Sequence, residues 1–336
     1  MRKLGLLKRL GKRSVNSSAP KAESSEARAV RPRSERYGLM LLAGGLDARP
    51  DDAGTEQYPV DIIAVHGLNG DAYTTWTHKN GVLWLQDLLP DLLPGCRVFT
   101  FGYPSQVVFS TSFAQVQEYA RQLLSSLRDV QEHSDKRPRS IIFICHSLGG
   151  IVCKQALVFA HEDDATYGGV LKSVTGVVFL GTPHRGSSAA TLGSVVGTIV
   201  NLPGLPAKSV RTDLLDYLKP GSRQLQDLAI SVRNRLANLT VVSFYESEAQ
   251  YPLPSVIVDQ ASAVLNIPRE DIISLPANHR DLCRFPGETG AYKAVSAAVR
   301  RIAKASTWRI SPPNRRSTHS SQRSLLSNSR AKDTQF

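Results

Sequence analysis

Residues 141–150 read "IIFICHSLGG". An apolar run of strand character, Ile141 to Cys145, breaks into a polar pair, His146 and Ser147, and then into Gly149 and Gly150. Beyond it Ile151, Val152, Ala156, Leu157 and Ala160 recur at helical spacing. A strand that passes straight into a helix through x-Ser-x-Gly turns sharply at the serine and lifts its side chain out at the carboxyl end of a sheet. Small neighbours are needed to relieve the crowding. The pattern is the nucleophile elbow G-x-S-x-G, written here Cys145-His146-Ser147-Leu148-Gly149, with cysteine in place of the first glycine. Taken alone, the pentapeptide fits a nucleophilic serine and also a serine that only N-caps the following helix.

Outward from this turn, short apolar strands alternate with helical patterns. Strands are predicted at 60–65 "VDIIAV", 97–102 "RVFTFG", 140–145 "SIIFIC", 174–180 "VTGVVFL" and 239–245 "LTVVSFY", with a weaker one at 271–275 "DIISL". Continuous Val/Ile/Phe runs mark strands buried on both faces, as in a parallel sheet covered by helices. Val116, Ala120, Leu123, Leu127 and Val130 form one apolar helical stripe, and Tyr292 to Ile302 a closing helix. A long, mostly helical insertion is expected from 188 to 238. The predicted fold is α/β, a mostly parallel, doubly wound sheet with that insertion ahead of the strand at 239–245.

Three features bear on the serine. The first is "VHGLNGD", residues 65–71, directly after an early strand. An oxyanion formed by attack on a carbonyl needs backbone N–H donors, each worth about 3 kcal/mol in the transition state. A His-Gly-x turn brings one close, so Leu68 N–H and Leu148 N–H are the expected pair. Asn69-Gly70 also suits a plain turn. The second is "PANHRDLCRF", residues 276–285, after the last weak strand. A serine hydroxyl is a poor nucleophile near neutral pH and requires a base; His279 is the candidate by chain order. The third is the carboxylate that fixes the imidazole tautomer. Glu246 follows "LTVVSFY" directly, and Asp259 in "VIVDQAS" is its rival.

Composition sets limits on the rest. The net charge of +12 is uneven: residues 1–36 and 300–336 together carry +16, which leaves −4 for the body between them. An acidic body argues against a nucleic-acid surface on the folded domain, and the basic tails lack the interleaved aromatics that RNA binding uses. The four cysteines, at 96, 145, 153 and 283, form no CxxC pair and no zinc-ligand spacing, so neither a metal site nor a disulfide framework is expected. With no secretory signal pattern at the start, a reducing compartment is the default. Residues 1–40 read as a basic leader or targeting segment, 41–305 as the folded domain and 306–336 as a disordered basic tail. In "MRKLGLLKRLGKR" the leucines fall on one helical side and the basic residues on the other, which suits a mitochondrial presequence, a membrane-surface helix or a disordered leader. The uncharged run 186–207 is diluted by Gly, Ser, Thr and Pro and reads poorly as a membrane span.

The landmarks "DIIAVHGLNGD", "TTWTH", "LLPGCRVFTFGYPS", "IIFICHSLGGIVCKQAL", "VVFLGTPHRGS", "VVSFYES" and "NHRDLCRF", in this order over roughly 58–285, resemble a family of serine esterases of α/β-hydrolase fold. That family includes the serine-active-site-containing proteins and, more distantly, the glycosylphosphatidylinositol inositol-deacylase-like lipases. The resemblance implies hydrolysis of a lipid or acyl ester and association with mitochondria, endoplasmic reticulum or a membrane; the acyl-transfer chemistry requires no metal or organic cofactor, and the basic N-terminus suits peripheral membrane contact. It favours Glu246 over Asp259 and implies a structural role for His184 in "GTPHRGS". The competing expectation is a catalytically silent hydrolase-like module that binds partners.

Overall fold

The computed structural model describes residues 35–45, 57–105, 113–133, 139–185, 222–251 and 255–310. These lie in one compact unit beginning at Glu35. Its strands are β1 (Gly38–Ala43), β2 (Val60–Val65), β3 (Arg97–Gly102), β4 (Ser140–His146), β5 (Val174–Leu180), β6 (Thr240–Glu246) and β7 (Glu270–Leu275). Its helices are α1 (Trp84–Asp87), α2 (Leu89–Leu92), α3 (Phe113–His133), α4 (Leu148–Glu162), α5 (Asp164–Ser173), α6 (Arg223–Leu236), α7 (Gln260–Ala263) and α8 (Gly290–Ile310).

The seven strands form one sheet in the order β1-β3-β2-β4-β5-β6-β7. Every pairing is parallel except that of β1 with β3. Burial explains the strand sequences: every residue of β2, β3, β4 and β5 is buried. Alternate residues serve opposite faces. Ile63, Val65, Phe143 and Phe179 pack with α3, α4, α5 and α6, whereas Ile62, Ala64, Ile144 and Val178 pack with α1, α2 and α8. Each such side chain contributes roughly 1.5–3 kcal/mol by leaving water, so the sheet is held rigidly from both sides.

The six predicted strands form, within a residue at their ends, and β7 joins them as an edge strand with exposed Ile272. One strand was not anticipated. β1, "GLMLLA", has no β-branched residue and a mixed burial pattern, so its pairing depends on β3 rather than on its own propensity. It straddles the boundary expected at residue 40, and α8 continues past 305 to Ile310; the regular structure is therefore wider than 41–305 at both ends. α6 is the described part of the expected helical insertion. The leader, the run 186–207 and the tail after 310 lie outside the described residues. Among the described residues no helix is long and apolar enough to cross a membrane.

At the amino ends of the strands sits a buried ion cluster. Arg97 donates from Nε and Nη2 to the two oxygens of Asp61, at 2.8 and 2.6 Å. Arg139 Nε reaches the same carboxylate at 2.7 Å while its Nη2 binds the carbonyls of Val60 and Gly95. The catalytic candidates all gather at the other end.

Candidate active site

Ser147 stands between β4 and α4 with φ 51° and ψ −121°. That left-handed backbone costs a non-glycine residue about 1–3 kcal/mol and persists only where the surroundings impose it. They do so here. Ser147 N–H donates to Leu180 O of β5 at 3.0 Å, and Gly150 N–H donates to Ser147 O at 3.1 Å. Gly149 and Gly150 have to be bare, because a Cβ would collide with the carbonyls of Val65 and His66 at the first and with Thr182 at the second. Ser147 occupies the N-cap position of α4, yet its side chain makes no capping hydrogen bond.

The loop after β2 lies against this turn. A Cβ on Gly67 would sit 2.7 Å from Ser147 Cβ, so the glycine lets the backbone come down onto the serine. The loop is pinned around His66. Its ring stacks on Tyr103 at 4.3 Å between centroids. Its Nδ1 donates to Gly67 O at 3.0 Å, and its Nε2 accepts from Tyr103 N–H. Tyr103 Oη donates back to His66 O at 2.7 Å. Burial lowers the His66 pKa to about 4 and keeps the ring neutral, as that bonding requires. Gly70 N–H binds Gly67 O, and Asn69, at φ 50°, donates its N–H to Ser105 O. Leu68 is thus held in a turn beside Ser147, and Leu148 is the first residue of α4. Among the described residues no acceptor is placed on either N–H.

His279 lies in the loop after β7, and Glu246 ends β6. His279 Nδ1 and Glu246 Oε2 are 3.0 Å apart, the carboxylate being fully buried and the imidazole nearly so. The other oxygen of Glu246 accepts the N–H groups of Ile257 and Val258 at 2.8 and 2.7 Å. With both oxygens engaged, the carboxylate is fixed in orientation and its charge is compensated by donors. Asp259 is exposed and caps α7 by accepting Ser262 N–H at 2.7 Å. It is a local helix cap and makes no bond to His279. Gly181, directly after Leu180, has φ +59°, and a Cβ on it would come within 3.0 Å of the His279 ring. The strand that anchors the Ser147 backbone thus continues into the surface on which His279 rests.

A further histidine of the sequence landmarks and a buried lysine lie close by. His184 is buried, its N–H bonded to Ser262 O at 2.7 Å and its ring edge-on to Phe179. Burial lowers its pKa well below the usual value, with help from the nearby charges of Lys154 and Arg185. Lys154, on α4, is fully buried with no partner for Nζ among the described residues, and its pKa falls to about 7. Sequence reasoning left Tyr103, Gly181 and Lys154 without roles. "GYPS" and "KQAL" stood among the landmarks, but their partners are distant in the chain.

A parallel seven-stranded sheet with one antiparallel edge, a strained strand-to-helix serine and a histidine paired to a strand-end carboxylate define an α/β-hydrolase. Residues 99–255 match the family model described as "PGAP1-like alpha/beta domain". Among curated proteins, the chain is 26% identical over 250 residues to Protein SERAC1 of Danio rerio, covering 67% of this chain and 36% of that one. It is 24% identical over 248 residues to Protein SERAC1 of Homo sapiens, with the same coverages. The chain spans about a third of the length of these relatives. A solved structure of Bacillus licheniformis lipase BlEst2 aligns with TM-score 0.48 and 16% identity over 72% of this chain and 91% of that one. Phospholipase PlaB from Legionella pneumophila aligns with TM-score 0.45 and 18% identity over 62% and 45%. The fold is thus that of the α/β-hydrolases, and over residues 99–255 the chain is similar to the PGAP1-like family.

Proposed function

We propose that this chain is a serine hydrolase of carboxylic esters, with Ser147 as nucleophile, His279 as general base and acid, and Glu246 as the carboxylate that orients it. The observation that carries the reading is the left-handed backbone of Ser147, a strained residue whose side chain performs no capping. Strain of this kind is retained where a function needs the side chain presented.

His279 removes the Ser147 hydroxyl proton as Oγ attacks the ester carbonyl. The N–H groups of Leu68 and Leu148 stabilise the oxyanion. As the tetrahedral intermediate collapses, the C–O bond to the alcohol breaks and His279 returns the proton to the departing oxygen. Water, deprotonated by His279, then attacks the acyl-serine and releases the acid, leaving Ser147 protonated again. Glu246 holds the Nδ1–H tautomer and stabilises the imidazolium formed in each half-reaction.

The substrate we assign is a lipid or acyl ester, and the site of action a mitochondrial or endoplasmic-reticulum membrane reached through the basic N-terminal segment. The similarity to the PGAP1-like family model and to SERAC1 proteins, and the basic, leucine-bearing leader, support this assignment. The test is labelling of purified protein with a fluorophosphonate probe, beside Ser147→Ala. Labelling of the parent and none of the folded variant is expected. A folded parent that takes no label and hydrolyses no acyl ester favours the silent interaction module.

A further inference from the structure

His146 precedes the nucleophile and has no part in the proton transfers above. Its Nε2 lies 2.9 Å from the backbone carbonyl of His279. A carbonyl only accepts, so Nε2 carries the proton and Nδ1 is left as a bare lone pair. Among the described residues that Nδ1 is buried without a partner. The His146 ring lies 5.0 Å from the His279 ring, and a Cβ on Gly67 would meet Nδ1 at 3.1 Å. One side chain therefore touches all three loops of the site: the elbow by covalent connection, the Leu68 loop by packing on Gly67, and the His279 loop by a hydrogen bond.

The far side of the His279 loop is anchored to the β2–β3 connection, where Trp84 Nε1 donates to Cys283 O at 2.9 Å and Arg284 donates to the carbonyls of Thr74 and Thr75; the side next to the imidazole is held differently. Asn278 bonds within the loop, accepting the N–H groups of Arg280 and Asp281, and Ala277 O accepts Glu248 N–H on the acid side. Glu246 fixes the ring of His279 at Nδ1, but that bond controls orientation rather than distance to the serine. Among the described residues, the hydrogen bond from His146 is the one that ties the elbow to the His279 backbone. Reacting groups misplaced by about 1 Å lose on the order of 10²-fold in rate, so that bond governs a quantity to which catalysis is sensitive.

We propose that His146 is a positioning residue, which sets the reach of His279 towards Ser147 by donating from Nε2 to the His279 carbonyl. The proposal rests on the serine-hydrolase reading. The charged or titratable groups facing His146 are His279, Arg284 and His66. Burial, and then the charge of His279, push the His146 pKa down to about 3, so the ring stays neutral while His279 gains and loses its proton. A neutral donor here can brace the base without opposing the imidazolium.

The test compares the full chain with His146→Leu, which removes the donor, and His146→Gln, whose amide nitrogen can replace Nε2. The readouts are the fluorophosphonate labelling rate and steady-state kinetics on p-nitrophenyl butyrate, with folding followed by circular dichroism. His146→Leu is expected to lower labelling and kcat by roughly 30- to 100-fold with KM little changed, and His146→Gln to recover the parent within about 5-fold. A folded His146→Leu that labels at the parent rate overturns the proposal, and so does a Gln variant as slow as Leu. Because either substitution can unfold the chain, a variant-free measurement stands beside them. Nitrogen-15 NMR of histidine-labelled parent should show His146 as the Nε2–H tautomer from pH 5 to 9, and an Nδ1–H tautomer overturns the proposal. Parent protein that neither labels nor turns over ester instead removes the serine-hydrolase reading.

Discussion

The two ends of the sheet handle buried polar groups in opposite ways. At the amino ends, Asp61, Arg97 and Arg139 are charged, and both oxygens of Asp61 are engaged. At the carboxyl ends His66, His146 and His184 are neutral, their pKa values lowered by burial, and several of their atoms or neighbours have no partner among the described residues. The first arrangement fastens three strands together. The second leaves polarity unspent where a substrate would bring its own. Stability and chemistry have been assigned to different ends of the same strands, about 20 Å apart for six-residue β-strands.

The contrast breaks most visibly at Ser147. Ser147→Ala should lower ester turnover by at least about 10³-fold without lowering the melting temperature, since the side chain caps nothing; parallel kinetics and thermal melts check this. At the opposite end, Asp61→Ala leaves the buried Arg97 guanidinium uncompensated and removes one partner of the half-buried Arg139, and should cost about 3–5 kcal/mol in urea unfolding. The KM of the fraction that remains folded should be unchanged. Lys154→Met should stabilise the protein by on the order of 3 kcal/mol, because burial has depressed the amine to a pKa of about 7 and no partner among the described residues offsets it. Urea titration at pH 7 measures the gain, and a loss instead would mean that Lys154 serves a bound group.

Acid sharpens the same division. His66, His146 and His184 are held neutral in the fold, with pKa values lowered below the 6.5 of the unfolded chain. Below pH 6.5 the unfolded state therefore binds more protons, and stability present above that pH is lost as pH falls towards 4 and 3. His66 and His146 each contribute about 1–2 kcal/mol of loss by pH 5, and His184 acts in the same direction. Unfolding midpoints measured at pH 7, 6 and 5 should decline accordingly. The smallest effect is expected at Asp259→Ala, which removes the α7 cap for about 1 kcal/mol and leaves ester turnover unchanged. A large loss of turnover there would return Asp259 to the role assigned to Glu246.

The sheet interior was legible because continuous apolar runs leave few alternatives to a parallel, doubly covered strand, and β2 to β6 are such runs. The elbow was legible because three steric requirements fall within five residues. β1 was not, since an edge strand without β-branched residues takes its conformation from its neighbour. Nor was the Asp61 cluster, whose members lie 36 and 78 positions apart. Glu246 could be placed at a strand end from sequence, but the N–H groups of Ile257 and Val258 that hold it come from the loop bearing its rival Asp259, and only the folded chain displays that exchange of roles. His146 bonds to a carbonyl 133 residues away, and no residue type in a sequence announces a carbonyl.

The interposed strand β5 gives the site its scale. It pairs with β4 through His146↔Leu180 and with β6 through Leu180↔Phe244, so serine and acid are spaced by two steps of one hydrogen-bond ladder, roughly 10 Å. The backbone lattice works as a ruler, and the side chains of the core serve only to keep it flat against its helices. Enlarging or shrinking a core residue can weaken the protein without recalibrating that ruler. A slip of one residue in β5 would move a division of the scale by about 3.3 Å, beyond anything His279 could span by rotating its ring.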